Sequence, residues 1–340
     1  MKNRAETQTV NRMNPVKPLI GITLGDAAGI GAEITLKALA DARVRDSLEA
    51  VLFGDRVVLE QAMQQTGLRG EIVEIDSVEN LHPEPGIHYL CDQHQLTAAA
   101  EMGRVSAACG AAAFAAIKTA VQWALEKKID ALCTAPINKA SLQAAGVPFI
   151  DHTEILGHDT GTKSPLTLFV VDQLRIAFLT KHIPLRRVAE SLSVPLVVEG
   201  LAATDRGLQQ LGLSRRRIAL AALNPHAGDS GLFGDEEETV LAPAVAAAAA
   251  RGLEVYGPVP ADAVFHDGLE GRYDAILSLY HDQGHIAAKT RDFHRTVSFT
   301  LGMPFLRTTP DHGTAFAIAG ENRANPLSMI EALLAAARYG

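Results

Sequence analysis

The chain has 340 residues, 47% of them hydrophobic, 21% charged and only 5% aromatic, with a formal net charge of −8. That is apolar mass enough for a large core, in a chain too long for one ordinary α/β layer set, so two domains are expected. An acidic balance with no basic stripe excludes the electrostatic footprint of a nucleic-acid or anionic-membrane partner and favours a small-molecule substrate.

Residues 1–17 are polar and lack an apolar central segment, which reads as a disordered leader rather than a signal peptide. Residues 18–24 then form a strand, and residues 32–41 a helix whose Glu33 lies in the first turn, where the helix dipole favours a carboxylate. Further strands are expected at residues 50–53 and 71–75, followed by a long alanine-rich helix over residues 107–127 that feeds a strand at 129–133. A second block of strands and helices runs over residues 165–279, and residues 326–339 close the chain as a helix. This alternation points to βαβ units and a mostly parallel sheet. The longest apolar stretch reads as residues 240–250, which Pro243 interrupts and which is too short to span a bilayer. Cys91, Cys109 and Cys133 are odd in number, widely spaced and without a Cys-x-x-Cys pair, as expected of reduced thiols in the cytoplasm.

The first strand-to-helix turn, Gly25-Asp26-Ala27-Ala28-Gly29-Ile30-Gly31, is not a dinucleotide fingerprint, because Ile34 stands where the third glycine of Gly-x-Gly-x-x-Gly belongs. It serves either a ligand or simply a tight turn that needs glycine. Three histidines follow short apolar runs that read as buried strands (residues 174–179, 218–223 and 275–279): His182 before Pro184, His226 after Pro225, and His281 three residues before Gly284. Singly, each would serve as a loop residue with a satisfied ring. Together, presented from sharp turns at strand ends, they make a site for one divalent cation, zinc, magnesium, cobalt or manganese.

The opening turn resembles that of the isocitrate and isopropylmalate dehydrogenases, and Asp311-His312-Gly313-Thr314-Ala315 with Asn325-Pro326 resembles the loop that holds adenosine in those enzymes. The resemblance implies that NAD, or NADP, binds at His312, Gly313, Thr314, Ala315 and Asn325, and that the two ends of the chain meet in one domain. A closer similarity covers nearly the whole chain from Ile20. The segments 23–31, Thr134-Ala135-Pro136-Ile137-Asn138-Lys139, His152-Thr153-Glu154, Asn224-Pro225-His226-Ala227-Gly228, 233–237, 280–284 and 311–315 are similar, in order and spacing, to the 4-hydroxythreonine-4-phosphate dehydrogenase (PdxA) family.

What that similarity implies is an isocitrate/isopropylmalate dehydrogenase-like α/β fold with two α/β domains, mostly parallel sheets and a cleft between them. Residues 18–140 with 305–340 would form the cofactor-associated domain, and residues 141–304 the metal, substrate and dimerisation domain of a homodimer with its active site near the interface. The family's metal ligands fall on His182, His226 and His281, and its substrate contacts on His152, Thr153, Lys289 and Arg307. Ser298 stands where the family carries asparagine, and His285-Ile286 where it carries Leu-Pro, a variant associated with a branch acting on other phosphorylated hydroxy acids.

The implied chemistry is oxidation of a hydroxyl β to a carboxylate, with hydride passing to the nicotinamide, then decarboxylation of the β-keto acid, one cation assisting both steps. Lys289 and Arg307 are the expected anion contacts. Asp282 and Lys289 are the expected catalytic side chains, Asp282 orienting a ring or moving a proton, or else capping its turn. Lys139 faces the cleft or caps a helix. The small anionic hydroxy acid expected is 4-hydroxythreonine 4-phosphate or a threonate or erythronate 4-phosphate. The alternatives are a cis-dihydrodiol dicarboxylate and, from another class, a metal-dependent hydrolase or binding protein that uses the histidines alone.

Overall fold

The computed structural model describes residues 17–340. Of the expected leader, residues 1–16 lie outside the described residues, and Lys17 is fixed by donating to the Arg45 carbonyl at 2.7 Å and pairing with Glu49. Twelve strands follow: β1 Leu19–Thr23, β2 Glu49–Gly54, β3 Glu71–Glu74, β4 Ile87–Asp92, β5 Ala131–Thr134, β6 Leu166–Val171, β7 Leu174–Phe178, β8 Ile218–Ala221, β9 Val255–Val259, β10 Ala275–Ser278, β11 Val297–Leu301 and β12 Leu306–Pro310. They form one sheet in the order β3-β4-β2-β1-β5-β12-β11-β6-β7-β10-β8-β9. Every pairing is parallel except β12 with β11, β11 with β6, and β6 with β7.

The expected α/β class with a mostly parallel sheet is therefore present, and its two parallel halves are joined in a single sheet. β5, β8 and β10 are buried along their whole length, as strands covered by helices on both faces must be, which is why they read as unbroken apolar runs. The antiparallel centre inverts the second half relative to the first. As a result, the carboxyl ends of β7, β10 and β8 emerge at the edge where β12 begins with Leu306 and Arg307.

The helix Ala107–Leu125 is longer than the 240–250 stretch, and Lys118, Thr119 and Gln122 interrupt its apolar run. By length and composition it could cross a membrane, but 56% of it is buried within the fold, as befits a core helix. The 240–250 stretch itself forms the helix Ala242–Ala249 after a π-helical turn, with Pro243 in the first turn, where its missing N–H costs nothing. The closing helix Leu327–Tyr339 packs against β12 and β5.

The two ends of the chain do meet. Ile30 N–H donates to the Thr314 carbonyl at 3.1 Å, and a Cβ on Gly29 would lie 2.9 Å from that of Thr314, so the approach needs glycine. Glu33, buried rather than merely dipole-facing, accepts from Ala324 N–H at 2.8 Å and from Lys37 at 2.7 Å, clamping the C-terminal loop.

Candidate active site

β7, β10 and β8 are parallel neighbours, and each carries one of the three histidines just past its carboxyl end. After β7, Thr180 anchors the chain by donating its hydroxyl to the Leu279 carbonyl at 2.7 Å, and two residues on His182 sits exposed in the left-handed region at φ 56°. After β8, the Asn224 carboxamide oxygen accepts from His226 N–H at 3.0 Å and Gly228 N–H at 3.4 Å, a side-chain-closed turn. After β10 the structure departs from the expected loop. Tyr280 is extended, and His281 is the first residue of the helix His281–Arg291. Gln283 locks this start, accepting from Leu279 N–H at 2.8 Å and donating to the Ala222 carbonyl at 2.7 Å, which ties the ends of β10 and β8 together. Gly284 lets the helix lie on the sheet, since a Cβ there would stand 2.7 Å from both Ile176 and Phe178.

The rings of His182 and His281 face each other at 5.7 Å between centroids across a cavity of about 30 Å³ that Thr180, Lys181, Tyr280 and Asp282 also line. Asp282 Oδ1 lies 2.8 Å from His281 Nδ1, which fixes the ring and leaves Nε2 free for a cation. Beneath it His285 stacks on His281 at 3.7 Å, wedged against Phe169 and Phe178; burial, then the neighbouring His281, pushes the His285 imidazole down to about 4. His226 does not join them: its ring stacks on Phe233 at 5.0 Å. Among the described residues the one group of three possible ligands whose donor atoms lie within 4.8 Å of one another is Glu74, Asp92 and His94, away from these histidines.

The antiparallel centre supplies the floor. Thr300 pairs with Thr167 on β6 and with Arg307 on β12, and Ser298 with Phe169 and Thr309, so alternation puts these side chains on one face, the face on which His285 rests. Arg307 is 4% exposed and donates only to hydroxyls: Nε and Nη2 to Thr134 at 3.0 and 2.5 Å, and Nη1 to Thr300 at 3.0 Å. No carboxylate lies within ion-pair distance of it among the described residues. Burial lowers its guanidinium to about 10, still cationic at neutral pH. Beside it His152 opens the helix His152–Thr160 behind the capping Asp151; its Nε2 is buried without a partner, and burial, then the Arg307 charge, holds the ring well below the ordinary histidine range. Thr153 follows, half-buried.

Lys289 is engaged elsewhere. Its ammonium bonds Asp311 through the carboxylate at 2.6 Å and the carbonyl at 2.8 Å, over the Phe293 ring, so it steadies the 311–315 loop. In that loop Gly313 has nothing within 4 Å of where a Cβ would stand, Thr314 is buried, Ala315 is left-handed at φ 45°, and His312 Nε2 is buried without a partner. Asn325 accepts from Leu327 N–H at 3.0 Å, closing the turn into the last helix, and exposed Lys139 opens the helix Lys139–Ala144.

Sequence reasoning missed Thr167, Thr300 and Lys181, and named Thr134 within a motif without a role. Lys181, next to His182, donates to the Thr167 hydroxyl at 2.7 Å. The signal for Thr300 was the polar-apolar alternation of residues 297–301, a strand with its polar face turned inward. The helix His281–Arg291 thus runs from two imidazoles poised for a cation to the lysine that steadies the open glycine loop, above a floor that holds a buried anion-attracting arginine.

The family model of the pyridoxal phosphate biosynthetic protein PdxA matches residues 46–336. A protein of Halalkalibacterium halodurans, provisionally named a D-threonate 4-phosphate dehydrogenase, is 48% identical over 95% of this chain and 97% of its own. A crystal structure of 4-hydroxythreonine-4-phosphate dehydrogenase from Klebsiella pneumoniae superposes with a TM-score of 0.88 at 39% identity, covering 96% of this chain and 99% of that one. One from Burkholderia phymatum gives 0.86 at 40%, covering 95% and 98%.

Proposed function

The chain belongs to the PdxA family and is an oxidoreductase of the dehydrogenase type, and on that premise we propose that it oxidises a phosphorylated β-hydroxy acid with NAD or NADP and releases carbon dioxide. The substrate we infer first is D-threonate 4-phosphate, with 4-hydroxythreonine 4-phosphate and erythronate 4-phosphate as near relatives. The observation that carries this reading is Arg307, a buried cation with no carboxylate in ion-pair contact, on the floor beside the histidines. A buried charge is stable only when paired, so an anionic ligand is its natural partner. The phosphate would lie against Arg307, His152 and Thr153, and the reacting end nearer the histidines.

A divalent cation would be held by His182, His226 and His281. The donor set fits, being three imidazoles at the ends of adjacent parallel strands, one fixed by a carboxylate. When bound it would acidify the substrate hydroxyl and polarise the ketone that follows. Asp282 holds the His281 ring in position. Lys289 fixes the Asp311 loop and, where its hydrogen bonds exchange, can donate to the substrate's oxygens. Ser298 and Thr300 offer hydroxyls to the substrate chain.

The nicotinamide cofactor would lie along His312, Gly313, Thr314 and Ala315, with Asn325 at the far end, and residues 18–140 with 305–340 would move as the unit that carries it. Because nothing occupies the space beside Gly313, Gly313→Leu should fold normally yet weaken NAD binding at least about tenfold while leaving substrate affinity unchanged. Titration calorimetry checks this, and unchanged NAD affinity would mean the loop is not the cofactor site.

We further propose a cytoplasmic homodimer with residues 141–304 at its interface. The exposed apolar side chains Leu185, Leu232 and Ile286 flank the three histidines and support contact with a second copy there.

Screening 4-phosphorylated hydroxy acids and cis-dihydrodiol dicarboxylates for NADH formation with added divalent metal tests the assignment. D-threonate 4-phosphate should be turned over most efficiently. Turnover of a dihydrodiol dicarboxylate alone would replace the substrate assignment, and hydrolysis without NADH would replace the reaction.

A further inference from the structure

Arg307 is not the only cation on the floor without a carboxylate in ion-pair contact; Asp151, whose charge reaches both, caps the helix His152–Thr160 by accepting from Glu154 N–H at 3.1 Å. Lys181, half-buried, has one hydrogen-bond partner, the Thr167 hydroxyl at 2.7 Å, and no carboxylate within ion-pair distance among the described residues. Thr167 faces Thr300 across the β6–β11 pair, and Thr300 accepts from Arg307 at 3.0 Å. The Cβ atoms of directly opposed residues stand about 5 Å apart, so the two cations flank a short polar row of hydroxyls. Lys181 also lines the small cavity that His182 and His281 share, whereas Arg307 does not. Of the two charges, the ammonium is therefore the one at the reacting end.

We propose that Lys181 is a specificity-determining residue that selects an α-hydroxy acid over the corresponding α-amino acid. This rests on the reading of the site as one for a 4-phosphorylated β-hydroxy acid. With the phosphate against Arg307 and the β-hydroxyl toward the histidines, the carboxylate and the C2 substituent fall within reach of the Lys181 ammonium. A C2 hydroxyl can accept a hydrogen bond from it, and the carboxylate gains a counter-charge. A C2 ammonium is a second positive charge in the same pocket. At about 6 Å, and with an effective dielectric between those of a protein surface and of water, that repulsion changes affinity roughly tenfold. A lysine is suited to this role because its flexible stem lets a compact charge follow the C2 group, where an arginine fork is committed to planar partners.

Binding of D-threonate 4-phosphate and 4-hydroxythreonine 4-phosphate to the cofactor-free enzyme, together with kcat/KM for each, would be measured for the wild type, Lys181→Met and Lys181→Arg. The wild type should prefer the hydroxy acid by roughly tenfold or more. Lys181→Met should weaken the hydroxy acid about tenfold and leave the amino acid unchanged or tighter, and Lys181→Arg should restore the order of preference in part. An equal loss for both ligands, or an unchanged ratio, overturns the proposal while the dehydrogenase assignment stands. A wild type that oxidises neither compound overturns both. A merely structural lysine would lower the melting temperature of Lys181→Met and shift both affinities together, which is the equal-loss outcome.

Discussion

Alanine at His281 is expected to strip the divalent ion and lower turnover by about a thousandfold, because a cation that acidifies a hydroxyl and polarises a ketone contributes several kcal/mol to the barrier. The same loss is expected for His226→Ala and His182→Ala. None of the three rings lies in the core: His182 and His226 are exposed on strand-end turns, and His281 opens a helix half-buried, so the fold should survive each change. His182 needs a control: its backbone sits at φ 56°, where alanine is strained and glycine is not, so His182→Gly separates loss of the ligand from loss of the turn. His226 carries a further consequence. Its ring lies flat on Phe233, apart from the other two, so closing the trio requires the 225–234 loop to give up that stack. Phe233→Ala should then bind metal at least as tightly as the wild type. Elemental analysis of the purified variants checks the whole set, and a wild-type metal content in any of the three histidine variants would remove that residue from the site.

The histidines were legible because metal ligands on an α/β scaffold must follow strand ends, and strand ends announce themselves as apolar runs broken by polar turns. The helical start of His281 was not, since Gly284 and the glutamine that locks the turn act through contacts with β7 and β8 that no local pattern encodes. The floor was hidden for a related reason. Residues 297–301 alternate as strands do, but their polar face is buried, and residues 306–310 bury Arg307 and Thr308 in a run of three polar residues, which inverts the usual rule that polar positions mark solvent. Motif similarity identified Arg307 without its surroundings, and only the pairing of β12 with β11 and β5 reveals that hydroxyls alone receive it. The same limit applied to Lys289, a cation that motif reading sends to the substrate and that the fold also binds to Asp311.

Arg307→Met should separate stability from activity. A buried guanidinium whose partners are three hydrogen bonds to neutral hydroxyls has been desolvated without a carboxylate in contact, an arrangement that costs free energy until an anion arrives. Methionine fills similar length with no charge, and the Thr134 and Thr300 hydroxyls can turn to other acceptors, so the unliganded variant is expected to unfold at equal or higher denaturant, by about 1 to 2 kcal/mol. Its kcat/KM should fall by about a thousandfold, equivalent to about 4 kcal/mol, since truncating a buried charge partner forfeits charge-assisted contacts to a phosphate bearing nearly two charges. Arg307→Lys should recover only part of this, because a point charge cannot reach Thr134, Thr300 and the phosphate at once. The linkage runs the same way: ligand at a hundredfold excess over Kd should stabilise the wild type by about 2.7 kcal/mol and leave the methionine variant nearly unmoved. Urea titrations with and without D-threonate 4-phosphate read both effects. Should the methionine variant instead lose several kcal/mol with no ligand present, Arg307 would be a structural residue whose hydroxyl contacts hold β12 against β5, and the phosphate would have to bind elsewhere.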